Sequence, residues 1–335
     1  MTKWKYTKGL HDLGNGCWGY LVPDGSWGWS NAGLIADGEA TLLVDTLFDL
    51  KCTGDMLAEM RNAVPASEKI GVLVNTHADG DHTFGNQLVK GARIIGTEGT
   101  VSDFNRFDPK VLLAVQNDPT QFGRAGEFMA ECFRPFDFSG IELTPPTETF
   151  KDRMTIKVGN KAVELIEVGP SHSLGDALIY VPEDKVLYTG DILFSAGTPI
   201  AWYGPIARWI NVCNMVLDMD VEIIVAGHGP LSTKDDVRKM RDYLLDITEK
   251  ARPFYEQGVD YLDAAYKIDL GEYRDWNDAE RVVVTLRTLY DDFDNAPVRP
   301  TRVPVPFFEQ MKDMRESLGK PPVHHEYCSH DHHDH

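Results

Sequence analysis

Asn75-Thr76-His77-Ala78-Asp79-Gly80-Asp81-His82 follows directly on the apolar run Gly71-Val72-Leu73-Val74. A strand that ends in such a loop presents its side chains at the carboxyl edge of a sheet, where open α/β sheets carry their sites. His77, Asp79, Asp81 and His82 crowd imidazoles and carboxylates so closely that they repel and compete for solvent unless a cation organises them. The stretch reads as half of a metal site, and the rest of the chain must supply the other half.

Working outward, Ala40-Thr41-Leu42-Leu43-Val44 is a buried-looking strand closed by Asp45, whose alternatives are a turn residue or a helix cap. Met56, Leu57, Met60 and Val64 fall at helical spacing and predict a helix over about 53–64. A short helix from Gly85 and a strand over Ala92–Gly96 continue a βαβ alternation, which implies a sheet with helices on its outer face. Residues 98–152 break that rhythm with Phe104, Phe107, Phe122, Phe128, Phe133, Phe136 and Phe138 among charges and prolines. Aromatics without a clean period suit an insertion that lids an apolar site or makes a packing or dimer contact.

Strands resume at 154–158, 163–168, 177–181, 186–189 and 221–225, and helices are expected over about 205–218, from a cap at Ser232 or Thr233 to about 250, then near 253–267 and 277–293. Prolines at 297, 300, 304, 306, 321 and 322 predict an extended, wrapping tail, which ends in a His-rich run over 324–335. Such runs can bind metal but define no geometry. The domain expectation is therefore a main unit over 1–235, a helical C-terminal extension over 236–300 packed on it, and a tail over 301–335.

Outside the tail the histidines are His11, which has no partner nearby, and His77, His82, His172 and His228, each at the end of a predicted strand. His172 lies in Gly169-Pro170-Ser171-His172-Ser173, His228 in Ala226-Gly227-His228-Gly229-Pro230, and Thr189-Gly190-Asp191 sets a carboxylate at one more strand end.

In the order Asp45, His77 to His82, His172, Asp191 and His228, the chain resembles the metallo-β-lactamase superfamily over about residues 30–230. The resemblance implies a four-layer αβ/βα sandwich with a dinuclear site at one edge of its paired sheets. It implies that His77, Asp79 and His172 hold a first metal, that Asp81, His82 and His228 hold a second, and that Asp191 bridges them. Asp45 would orient the ligand loops from behind, and Asp81 and Asp191 are the catalytic candidates. One departure stands out: the family motif is His-x-His-x-Asp-His, and Asp79 occupies the place of the second His. A carboxylate is a harder ligand and suits iron or manganese better than imidazole does, although zinc accepts it. The cofactor expectation is two divalent ions, zinc by default, with iron or manganese as alternatives.

Two ions sharing a water would generate hydroxide near neutral pH, so the expected activity is metal-dependent hydrolysis. The substrate expected is small and apolar or aromatic, with an ester, lactone, thioester or related bond. Trp27, Trp29, Trp202 and Tyr203, near predicted loops, are its candidate pocket. Alternatives are a di-iron redox enzyme of the same fold, which Asp79 favours, and a non-catalytic metal-binding protein. A formal charge of −19 argues against nucleic acid and anionic membranes as partners. No apolar run nears the roughly 18 residues of a membrane span. Five scattered cysteines without a CxxC pair and no visible signal peptide point to the cytoplasm. A homo-oligomer is compatible with all of this.

Overall fold

The computed structural model describes residues 4–298 and 305–325. Strands β1 (Gly9–Gly14), β2 (Cys17–Leu21), β3 (Ala32–Asp37), β4 (Ala40–Val44), β5 (Val72–Val74), β6 (Arg93–Thr97) and β7 (Glu148–Phe150) form one sheet in chain order. The first four run antiparallel, and β4 to β7 run parallel. Strands β8 (Arg153–Val158), β9 (Lys161–Glu167), β10 (Ala177–Val181), β11 (Val186–Phe194) and β12 (Ile223–His228) form the second sheet, antiparallel except for the β11–β12 pair.

The helices are α1 (Leu50–Ala63), α2 (Gly80–Thr83), α3 (Glu98–Asp103), α4 (Pro109–Asn117), α5 (Gly123–Phe133), α6 (Ile206–Asp218), α7 (Lys234–Glu256), α8 (Tyr261–Lys267), α9 (Val282–Phe293) and α10 (Val305–Ser317). Among the described residues no helix is long and apolar enough to cross a membrane.

The two sheets face each other across a dry layer that includes Leu42, Val44, Val74 and Ile95 from one and Leu165, Ile179, Val186 and Val225 from the other. Alternate residues of the same strands, such as Leu43, Leu73, Leu178 and Leu187, turn outward into a second core shared with the helices. That period-2 division makes the αβ/βα sandwich. The sheets approach closely at Gly33, where a Cβ would lie 2.2 Å from the Tyr188 ring. Tyr188 in turn spans the layer to donate to Trp18 O at 3.0 Å.

Several boundaries depart from the sequence-based expectation. The segment 98–152 is more helical than its aromatics suggested, because Ala125, Phe128, Met129 and Cys132 fall on one buried face of α5. Pro253 lies inside α7 instead of opening a new helix, and the chain breaks instead at Gly258, whose φ is +70°. Residues 305–317 form a helix and not an extended tail: Pro306 sits in its first turn, where a missing N–H costs nothing, and Phe308, Met311 and Met314 pack inward. The expected tail beyond residue 325 lies outside the described residues.

Candidate metal centre

The topology gathers strand ends. Parallel β4 and β5 finish on one edge, so Asp45 and the His77–His82 loop sit side by side. In the other sheet β9 and β11 share a direction through the antiparallel β10, and β12 is parallel to β11, which brings His172, Asp191 and His228 to the same edge. Asp191 lies within β11, which runs past the expected end at Thr189. The β11–β12 register shifts between Tyr188 and Gly190, and such an irregularity re-aims the side chains beyond it. Gly227 makes room for that carboxylate, since a Cβ there would stand 2.1 Å from Asp191 Oδ1.

All four imidazoles are held by Nδ1. His172 Nδ1 donates to Ile200 O at 2.7 Å and His228 Nδ1 to Trp29 O at 3.1 Å. A carbonyl only accepts, so these nitrogens carry the proton and leave Nε2 toward the site. Asp45 governs the other pair. It accepts from Thr76 N–H and Thr76 Oγ1–H, both at 2.7 Å, and from His82 Nδ1 at 3.0 Å. With its hydroxyl proton given to Asp45, Thr76 Oγ1 accepts from His77 Nδ1 at 2.9 Å. One buried carboxylate therefore sets both rings. Asp45 itself adopts φ +60°, a left-handed conformation that Asp tolerates better than most residues.

The Nε2 atoms meet three carboxylates. Asp191 Oδ1 lies 3.1 Å from His82 Nε2 and 3.4 Å from His228 Nε2, while its Oδ2 lies 3.5 Å from His172 Nε2 and 3.8 Å from His77 Nε2. Asp79 Oδ2 is 3.3 Å from His172 Nε2 and 3.9 Å from His77 Nε2. Asp81 Oδ2 is 3.3 Å from His228 Nε2 and 4.0 Å from His82 Nε2. The buried atoms His77 Nε2, His82 Nε2 and Asp191 Oδ1 have no hydrogen-bond partner. Unpaired buried polar atoms are costly, and a cation at the centre would satisfy all three at once. Ligand atoms of His77, Asp79 and His172 lie within 4.8 Å of one another, as do those of Asp81, His82 and His228 and those of His77, His82 and Asp191. The donor set fits divalent metal.

Electrostatics point the same way. Burial and the adjoining His82 push His77 down to about 3, so its ring is neutral. Burial also works to lower His228, but Asp191 and Asp81 outweigh it and push the ring up to about 9. Asp191 feels burial in the opposite sense, yet His228 and His82 hold it well below the usual carboxylate range. The cluster pulls positive charge toward its centre.

Above it lies a cavity that opens to solvent, with about 470 Å³ of empty space when that opening is included. Asp79, Asp81, His172, Asp191 and His228 form its floor, and Phe48, Phe107, Phe133, Phe194 and Phe308 are among its walls. Of the four sequence candidates for a pocket, Trp27 and Trp202 line this cavity. Trp29 and Tyr203 do not: Trp29 packs on Phe136 and donates its indole N–H to His325 Nδ1 at 2.9 Å, and Tyr203 donates to Asp103.

Two arginines escaped the sequence reasoning. Arg281, from the turn before α9, lines the cavity with its guanidinium 4.2 Å from the centre of the Trp27 ring, and Asp278 pairs with it at 3.0 Å. Arg106, from the loop after α3, is buried and pairs with Asp79. The available signal was a lone base between Phe104 and Phe107 in a strongly acidic chain.

Residues 25–228 match the model of the metallo-β-lactamase superfamily, and the chain belongs to that family. The chain is 29% identical over 90 residues to the 2,4-dinitroanisole O-demethylase subunit alpha of Nocardioides sp. (strain JS1661), 25% of this chain and 26% of that protein. It is 21% identical over 215 residues to the acyl-coenzyme A thioesterase MBLAC2 of Homo sapiens, 59% of this chain and 72% of that one. Among solved structures, the inverting sec-alkylsulfatase Pisa1 from Pseudomonas sp. superposes with a TM-score of 0.63 at 15% identity, covering 85% of this chain and 50% of its own. A metallo-β-lactamase from Pontibacter korlensis gives 0.53 at 17%, covering 71% and 98%. These structural matches show the shared fold. The chain thus spans about a quarter of the first relative and half of the first structure.

Proposed function

We propose that the protein is a dinuclear metal-dependent hydrolase acting on a small, largely apolar organic molecule. The observation that carries this is the convergence of His77, Asp79, Asp81, His82, His172, Asp191 and His228, with unpaired buried atoms among them, on the floor of an aromatic cavity. His77, Asp79 and His172 would hold one ion, Asp81, His82 and His228 the other, and Asp191 would serve both. Bound divalent ions supply Lewis acidity and a water that ionises near neutral pH.

The chain's own groups do the rest. Asp45, Thr76, Ile200 and Trp29 keep Nε2 of each imidazole aimed inward. The Trp27, Phe107, Phe133 and Trp202 side chains exclude water and grip an apolar body, which strengthens electrostatic interactions at the floor. Asp81 and Asp191 border both the ligand cluster and the cavity, where their carboxylates can accept a hydrogen bond from a water and orient it. The family relationship supports hydrolysis, and the thioesterase among the relatives makes acyl thioesters a natural first substrate to try.

Asp79 favours a second reading, in which a carboxylate-rich site holds iron and performs redox chemistry. Metal analysis of protein purified without added zinc, with turnover assays on activated esters, thioesters, lactones and sulfate esters, separates the two. Zinc or manganese with reductant-independent turnover supports hydrolysis. Two equivalents of iron with oxygen-dependent activity and no hydrolysis overturn it.

A further inference from the structure

The guanidinium of Arg106 is buried beside the unusual ligand position and enclosed by aromatic rings, with its central carbon 4.9 Å from the Phe107 centroid, 5.5 Å from Trp202 and 5.2 Å from Tyr203. Its Nη2 donates to Asp79 Oδ1, while Asp79 Oδ2 faces His172 Nε2 at 3.3 Å. Asp79 is thus used from both sides, one oxygen toward the arginine and the other toward the ligand cluster. Arg106 Nε lies 3.3 Å from Asp103 Oδ2 but makes no hydrogen bond, and Nη1 has none either. Asp103 is engaged in turn by Tyr203 Oη–H. Burying a guanidinium is expensive unless it is compensated, and its one hydrogen-bonded acceptor here is Asp79.

The motif explains why the cost is worth bearing. Relative to the family's histidine, Asp79 adds one negative charge to a cluster that already contains Asp81 and Asp191. An arginine on its outer oxygen removes that excess and fixes the carboxylate plane, so that the inner oxygen alone is offered. We propose that Asp79 and Arg106 act as one unit that takes the place of a neutral imidazole at the first metal position, with Arg106 as the positioning residue that sets occupancy there. This rests on the dinuclear reading above.

The test is a double-mutant cycle on the full chain, using Arg106→Met, Asp79→His and the two combined, with zinc as the probe. Zinc stoichiometry, zinc affinity by competition with a chromophoric chelator, and the thermal midpoint are measured for each. Arg106→Met is expected to weaken one of two zinc equivalents by about 10–100-fold, the range for losing a partner that orients a ligand, and to leave the other nearly unchanged. Asp79→His alone is expected to weaken the same equivalent, because the buried guanidinium then lacks its acceptor. The double variant is expected to recover both equivalents, an outcome that a merely structural role for Arg106 does not produce. Should Arg106→Met fail to fold, the comparison of Asp79→His with the double variant still decides: recovery supports the unit, and equal or weaker zinc binding overturns it. Two unperturbed equivalents in Arg106→Met overturn the inference alone. Fewer than two in the wild type overturn the dinuclear reading and the inference with it.

Discussion

Asp45 does at the scale of one residue what a whole loop would otherwise have to do. It collects Thr76 N–H, Thr76 Oγ1–H and His82 Nδ1, and through the threonine it reaches His77. An asparagine there keeps the shape but loses one acceptor oxygen and adds a donor. Asp45→Asn is therefore expected to lower metal affinity by about 10–100-fold, measured by chelator competition, and unchanged affinity would refute the tautomer argument. Thr76→Val removes the link to His77 while sparing that to His82, so its loss should fall on the first metal position only. How legible was this? A carboxylate closing an apolar strand is visible in sequence, and so are imidazoles at strand ends. The roles of Thr76 and Arg106 were not, because Thr76 sits in the opening stretch without being a metal-ligand type and Arg106 belongs to no motif. Each matters through a contact that exists only after folding, Thr76 with its own neighbour and Arg106 with a residue 27 positions earlier.

Among the elements, α10 shows how a proline-rich stretch can mislead. Pro304 and Pro306 suggested extended chain, yet Phe308, Met311 and Met314 recur at helical spacing and dock on α5. Lys312 bonds Glu127 at 2.8 Å across that contact. Phe308 is fully buried against Trp27, Phe128 and Phe133, and it also lines the cavity. Phe308→Ala should cost about 3–5 kcal/mol, as for other buried aromatic truncations, read by denaturant unfolding. A loss under about 1 kcal/mol, typical of surface positions, would mean that α10 is not part of the core.

Helix α6 carries a pH-dependent feature. Asp292, on α9, accepts Ile206 N–H at 2.7 Å, and burial pushes its carboxyl up to about 6. The folded state then holds this proton more tightly than the unfolded chain. The resulting stability is fully present below the unfolded value of about 4 and is lost as pH rises through about 6. Asp292→Asn mimics the protonated acid. Its melting temperature should match the wild type near pH 4 and exceed it increasingly toward pH 7; a constant difference would contradict the assignment.

Over the whole molecule, alternating and continuous apolar strands made the sandwich readable, and the order of the strand-end His and Asp residues made readable the edge where they gather. The cavity walls were only partly so: Trp27 and Trp202 were legible as aromatics near loops, whereas Phe48, Phe107, Phe133, Phe194 and Phe308 come from segments far apart in sequence that only folding brings together. Metal should be a major stabiliser of this assembly. Stripping with a chelator is expected to lower the melting temperature, and re-addition of zinc at about 100 times its dissociation constant should return about 2.7 kcal/mol. An unchanged midpoint would show that the buried cluster tolerates its own charges.

The Trp29–His325 contact bears on how the protein is made. Trp29 O holds His228, and the Trp29 indole is tied to His325, which itself donates through Nε2 to Glu131 O at 2.9 Å. Synthesis delivers residue 325 only after all the ligands have emerged from the ribosome. Until then the Trp29 indole lacks this partner, although the Trp29 carbonyl can already accept from His228. The carbonyl that faces His228 is thus braced by a residue nearly a hundred positions further along the chain, so the firmness of that loop is a property of the completed fold and not of the second sheet alone.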